Sequence, residues 1–234
     1  MQSYKKLFVL SLLLNLALLA SMAYIIHRLG GLRYMIHRVN NKDIEGIYEH
    51  RKGFFTMLPK QKGRIVFLGD SLTEYGQWEE LTQHSNVLNR GIAGDTTPNL
   101  LRRLDHIVEL APSKIFLMIG INDFLFFDRP QILENYQQIV QQLTTQLPNT
   151  QLYLQSILPV NPTIRRIAMD NEEIRLLNQS IQQLATDQEL IYIDIHHPLK
   201  DANGNLDEKY TEDGVHLNGL AYRVWHKEIA AYLH

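Results

Sequence analysis

The sequence contains no cysteine. A disulfide framework, a thiolate metal site and a cysteine nucleophile are therefore excluded, while the compartment stays open. Proline and glycine are sparse, at 8 and 13 of 234 residues, too few for a low-complexity linker protein. The net charge is only −2, which gives no global pull toward nucleic acid. What remains is an ordinary globular composition, 45% hydrophobic and 21% charged, of a length that fits one domain and something small.

The charge is unevenly placed. Residues 1–63 hold 10 Lys and Arg against 3 Asp and Glu, whereas the rest of the chain holds 13 against 22. The basic part surrounds an uncharged run of 20 residues, Leu7 to Ile26, whose clearly polar members are Ser11, Asn15 and Ser21. At 1.5 Å rise per residue such a run spans about 30 Å, the thickness of bilayer hydrocarbon. Two readings stand: an uncleaved membrane anchor, or a signal peptide cut after Ala23. The run is longer than a usual signal core, which favours the anchor. Lys5 and Lys6 precede it and Arg28, Arg33 and Arg38 follow, so the positive-inside rule gives no clean vote. The short N-terminal tail leans toward the inside and the body toward the extracytoplasmic side. Residues 1–26 are thus expected to be the anchor or signal, residues 27–42 a basic juxtamembrane spacer, and residues 43–234 the folded body. Ile44, Ile47, Tyr48, Arg51, Phe55 and Leu58 recur at helical spacing and predict an amphipathic helix packed on that body, ending before Pro59.

The body alternates β-rich runs (64–69, 86–91, 114–120, 151–160, 190–195) with helical patterns (96–110, 130–147, 171–186, 220–233). That alternation predicts an α/β fold, a flavodoxin-like three-layer α/β/α sandwich around a five-stranded parallel sheet. Ligands of such folds sit at the carboxyl ends of the strands.

Four segments fall at those ends. Gly69-Asp70-Ser71-Leu72 follows the first strand, where a serine hydroxyl can be presented at the sheet edge; an ordinary turn with an N-cap is the plainer alternative. Gly91-Ile92-Ala93-Gly94-Asp95 follows the second strand and opens a helix. A glycine there lets a backbone N–H approach a ligand oxygen, and the spacing matches no nucleotide-binding loop. Gly120-Ile121-Asn122-Asp123 follows the third strand; Asn122 is either an oxyanion donor or an Asx turn. Asp213-Gly214-Val215-His216 precedes the last helix, at a spacing that lets Asp213 hold the His216 Nδ1–H.

Together these segments resemble the four blocks of the SGNH hydrolases, the GDSL esterase/lipase family, and the resemblance covers about residues 43–234. The stretch GIAGDTTPNLLRRL, residues 91–104, looks like the platelet-activating-factor acetylhydrolase branch and related bacterial acetylesterases. The resemblance implies Ser71 as nucleophile, His216 as base and Asp213 as its orienter. It implies an oxyanion hole built from the Ser71 and Gly94 backbone N–H groups and the Asn122 amide. It calls for no metal and no organic cofactor.

The expected function is a serine-dependent carboxylic-ester hydrolase with a small ester or an acylated glycan or lipid as substrate. Removal of O-acetyl groups from an envelope glycan competes with hydrolysis of a lysophospholipid-like lipid. A non-catalytic envelope binding protein is a further, weaker reading. Three other motifs have bland readings: the Asp201–Asp207 segment is a turn-rich loop with Leu206 where a calcium loop needs Gly, His196-His197 is a strand-end loop, and Phe124–Phe127 is either core packing or an acyl-pocket rim.

Overall fold

The computed structural model describes residues 2–28 and 42–234, with side chains at 5–24 and 46–234. Most of the expected 27–42 spacer lies outside the described residues. Two units are distinct, residues 1–43 and 44–234.

In the first unit, helix α1 (Gln2–Arg28) is unbroken. Its Lys5–Tyr24 portion has a mean hydropathy of 2.1 and is long and apolar enough to cross a membrane; a signal sequence meets the same measure. The polar Asn15 is satisfied inside the helix, its Nδ2 donating to the Ser11 carbonyl at 2.9 Å. Hydrocarbon demands such internal satisfaction of polar groups.

The second unit opens with α2 (Lys42–Met57). Tyr48 and Phe55 are buried and cluster with Ile92, so this helix packs on the body as the spacing predicts. Five strands follow: β1 (Ile65–Gly69), β2 (Val87–Gly91), β3 (Lys114–Met118), β4 (Gln151–Gln155) and β5 (Ile191–Ile193). All pairings are parallel, in the order β2-β1-β3-β4-β5, which is the flavodoxin-like arrangement. β1 is buried along its whole length, as a sheet covered on both faces requires.

Register aligns one aromatic residue from each of three adjacent strands, Phe67, Phe116 and Tyr153. Their rings stack at 5.0 and 4.6 Å, and Trp78 continues the row at 4.0 Å from Phe67. Trp225, on α10 (Gly219–Ile229), meets Trp78 edge-on at 4.8 Å. Its indole N–H donates to Gln155 Oε1 at 2.7 Å. The remaining long helices, α7 (Arg129–Gln146) and α8 (Asn171–Asp187), each begin at a capping aspartate, Asp128 or Asp170.

Two elements differ from the sequence expectation. The single helix expected over 96–110 is two short ones, α5 (Thr97–Leu101) and α6 (Leu104–Glu109). The break falls at Arg103, whose guanidinium is drawn inward to three buried acceptors. β4 ends at Gln155 rather than running to Val160, because α8 takes over the backbone groups. Asn178 bonds both the N–H and the carbonyl of Ile157, and Asn171 does the same for Val160.

Phe116 is fully buried between Phe67 and Tyr153. Phe116→Ala is expected to lower stability by about 3–5 kcal/mol, read from urea unfolding followed by near-UV circular dichroism.

Candidate active site

Ser71 is the first residue of a single helical turn, α3 (Ser71–Glu74), immediately beyond β1. Asp70 caps that turn, its Oδ1 accepting the Leu72 N–H at 3.0 Å. The cap holds the turn tight against the strand end and leaves the serine hydroxyl directed elsewhere. Ser71 Oγ lies 3.1 Å from His216 Nε2. His216 Nδ1 lies 2.7 Å from Asp213 Oδ2. The other oxygen of Asp213 accepts the backbone N–H groups of Val215 and His216 at 2.9 and 2.7 Å. The structure therefore brings Ser71, His216 and Asp213 into one continuous chain of contacts across 145 residues of sequence. With Nδ1–H donated to Asp213, the Nε2 lone pair is free to accept the serine proton.

The Asp213 carboxyl is held down at about 2. Burial opposes its ionisation, and the side-chain and backbone hydrogen bonds from His216 and Val215 outweigh that effect. It stays an anion under all ordinary conditions, as a group that stabilises an imidazolium must.

Gly94 adopts φ +76°, a left-handed conformation that ordinary side chains disfavour. Its neighbours on both sides are pinned. The Ala93 N–H donates to Glu74 Oε2 at 2.6 Å, and Glu74 in turn meets Arg51 of α2 at 3.0 Å. The Asp95 N–H donates to the Ile92 carbonyl at 3.1 Å. Asn122 Nδ2 donates to the Asp95 carbonyl at 2.9 Å, so the structure sets the Asn122 amide against the Gly94 loop.

Each residue expected to build an oxyanion hole has a buried aspartate beside it in sequence: Asp70 next to Ser71, Asp95 next to Gly94, Asp123 next to Asn122. Asp95 accepts from Arg103 Nε and Nη2 at 2.9 and 2.6 Å. Arg103 also donates to the carbonyls of Arg90 and Gly69 at 3.0 and 3.1 Å, the ends of β2 and β1. Asp123 accepts the Thr97 N–H at 3.0 Å and the Thr97 hydroxyl. Sequence reasoning assigned no role to Arg103, Thr97 or Glu74; two adjacent arginines in an otherwise helical pattern were the available signal. Burial pushes the Asp70 carboxyl up to about 8 and that of Asp123 up to about 7, with the other nearby carboxylates acting in the same direction.

The remaining motifs do not join the site's hydrogen-bond chain. Asp201 closes a tight loop by accepting the Asn203 and Asn205 N–H groups. His196 begins a short helical turn, with Nδ1 3.0 Å from the Ile157 carbonyl. Phe124 and Phe127 are half-buried against the main core. Among the described residues no three His, Asp or Glu side chains converge as a metal site.

The raised pKa values fix a sign. Between about pH 4 and 8 the folded chain keeps protons on Asp70 and Asp123 that the unfolded chain releases, so their contribution to stability is fully present below about pH 4 and is lost as pH rises through about 7 and 8. Asp70→Asn keeps a capping side chain and removes one of these protons. The expected outcome is a shallower fall of melting temperature between pH 5 and 8 than in the wild type, measured by differential scanning fluorimetry across that range.

The geometry is that of a known family. Residues 67–224 match the model of the GDSL-like lipase/acylhydrolase family. Platelet-activating factor acetylhydrolase IB subunit alpha2 of Rattus norvegicus is 28% identical over 165 residues, which cover 68% of this chain and 70% of that one. An N-acylneuraminate cytidylyltransferase of Escherichia coli is 31% identical over 173 residues; they cover 71% of this chain and only 39% of that protein. A solved structure from Streptococcus pneumonia, provisionally described as a platelet activating factor, superposes with a TM-score of 0.77 at 31% identity, covering 86% of this chain and 99% of the other. A GDSL-like lipase from Bacteroides thetaiotaomicron shares the fold at TM-score 0.70 and 23% identity, over 80% of this chain and 96% of its own. With its serine, glycine and asparagine blocks following β1, β2 and β3 and its histidine block preceding α10, the chain belongs to the GDSL-like lipase/acylhydrolase family.

Proposed function

We propose that the chain is a serine-dependent carboxylic-ester hydrolase that removes short O-acyl groups, acetyl above all, from a cell-envelope glycan through an acyl-enzyme. The observation that carries the reading is the unbroken Ser71–His216–Asp213 contact chain at 3.1 and 2.7 Å. Ser71 Oγ attacks the ester carbonyl while His216 Nε2 takes its proton. The tetrahedral oxyanion is held by the Ser71 and Gly94 backbone N–H groups and by Asn122 Nδ2. His216 then returns the proton to the departing alcohol oxygen. A water, deprotonated by the same imidazole, releases the acid and regenerates Ser71. No step requires a cofactor.

The acetyl preference draws support from the acetylhydrolase among the relatives. The same relative keeps a lipid ester as the second reading. The apolar helix supports a membrane anchor, which would hold the enzyme beside either substrate; under this proposal the body is on the extracytoplasmic side, where an envelope glycan lies.

The full chain, purified in detergent, is expected to hydrolyse p-nitrophenyl acetate, with activity abolished in a folded Ser71→Ala variant. Asn122→Ala should lower kcat by about 10²–10³ with the melting temperature nearly unchanged. Near-normal turnover in either variant overturns the corresponding role. Rates across acetyl, butyryl and longer acyl esters separate the glycan-acetate reading from the lipid one.

A further inference from the structure

The loop between β4 and α8 carries two adjacent arginines, Arg165 and Arg166, both exposed. Its position is built rather than incidental. Asn161 anchors the loop start: its N–H donates to the Gly214 carbonyl at 2.7 Å and its Nδ2 to the Leu206 carbonyl at 2.8 Å. Its Oδ1 accepts from the Thr163 N–H and hydroxyl at 3.0 and 2.6 Å. Gly214, one residue past Asp213, makes this approach possible. It has φ +83°, and a Cβ there would sit 2.5 Å from the Asn161 carbonyl oxygen and 3.0 Å from Ile167 Cδ1. The loop is therefore latched onto the segment that supplies Asp213 and His216.

The latch sets Arg165 Nη2 3.5 Å from Asp213 Oδ2, the oxygen that also faces His216 Nδ1. The contact is a loose charge pair, and the guanidinium side chain is 51% exposed. Such a pair contributes little to stability, and the half-exposed guanidinium offers five N–H donors in a fixed fork. The surroundings sharpen the point. Beyond residue 63 the chain holds 22 acidic and 13 basic residues, so the body as a whole repels anions. The cation paired with Asp213 opposes that field locally. The His216 ring itself meets Asp213, the Ser71 hydroxyl and the Tyr75 ring at 5.3 Å.

We propose that Arg165 is a specificity-determining residue that binds an anionic group, carboxylate or phosphate, carried by the substrate next to the scissile ester. A guanidinium fork suits both oxyanion geometries. The inference rests on the ester-hydrolase reading and narrows it to negatively charged substrates, with Arg166 adding charge without direct contact to Asp213.

The test compares three acetate esters on the full-length protein: para-acetoxybenzamide, para-acetoxybenzoate and para-acetoxyphenyl phosphate. The wild type should prefer the charged esters over the neutral amide. Arg165→Gln should lower kcat/KM for the charged esters by about 10- to 100-fold, the loss expected for one charge-assisted hydrogen bond, mainly through KM. The amide ester should be unaffected. The ratio between the benzoate and the phosphate tells which anion the site favours. An equal change on all three esters, with a shifted acid limb of the pH profile, overturns the proposal and makes Arg165 a positioning residue acting on His216 through Asp213. Equal wild-type rates on charged and neutral esters also overturn it while leaving the hydrolase intact. No hydrolysis of any ester by folded wild type overturns the hydrolase reading and this proposal with it.

Discussion

The ion pair between Arg103 and Asp95 is the point on which the site's construction turns. Both side chains are almost completely buried, at 2% and 0% exposure. Removing two charges from water is costly, and their attraction repays that cost only when the remaining lone pairs and protons are also satisfied. Here they are. Asp95 accepts two guanidinium N–H groups and the Thr96 N–H, and Arg103 also reaches the carbonyls of Gly69 and Arg90. One guanidinium thus ties the end of β1, the end of β2 and the Gly94 loop into a single unit. Its register relative to Ser71 follows, because Gly69 lies two residues before Ser71.

The sheet supplies the rest of the positioning. In a parallel sheet every strand delivers its following loop to the same edge. The order β2-β1-β3 therefore sets the Gly94, Ser71 and Asn122 loops side by side. The aromatic row across β1, β3 and β4 fixes the register of those strands on one face, and Trp225 of α10 abuts the row. The helix that follows His216 is thus packed on the same core that positions Ser71. Tyr222, also on α10, donates its hydroxyl to the Leu72 carbonyl at 2.7 Å, a direct strut from the histidine side to the nucleophile turn.

Much of this was legible in the sequence because chemistry that needs a particular residue type at a strand end leaves a compact local trace. Ser71, Gly94 and Asn122 each sit in such a block after a strand run, and Asp213 and His216 form a compact block before the last helix. The helix over 96–110 was misread as one piece because its periodicity is helical throughout. Only the inward pull on Arg103, a tertiary effect, breaks it. The approach of the 160–170 loop to Asp213 is not legible in the sequence for a related reason. It depends on the conformation of Gly214 and on Asn161 bonding across the fold. Local propensity carries no trace of either.

The three aspartates beside the residues proposed to form the oxyanion hole present an electrostatic difficulty. An oxyanion hole must favour developing negative charge, and three carboxylates behind it would oppose that charge in a medium of low dielectric. The structure removes the opposition in two ways. Asp95 is neutralised by Arg103 at contact distance. Asp70 and Asp123 are buried so deeply that protonation is favoured well above the usual carboxylate range. A protonated carboxyl still accepts hydrogen bonds, so Asp70 continues to cap the Ser71 turn and Asp123 continues to hold Thr97. The acids thus act as rigid acceptors that orient backbone, without imposing their full charge on the site. Asp213, in contrast to Asp70 and Asp123, is held as an anion, on the far side of the imidazole, where negative charge would stabilise an imidazolium.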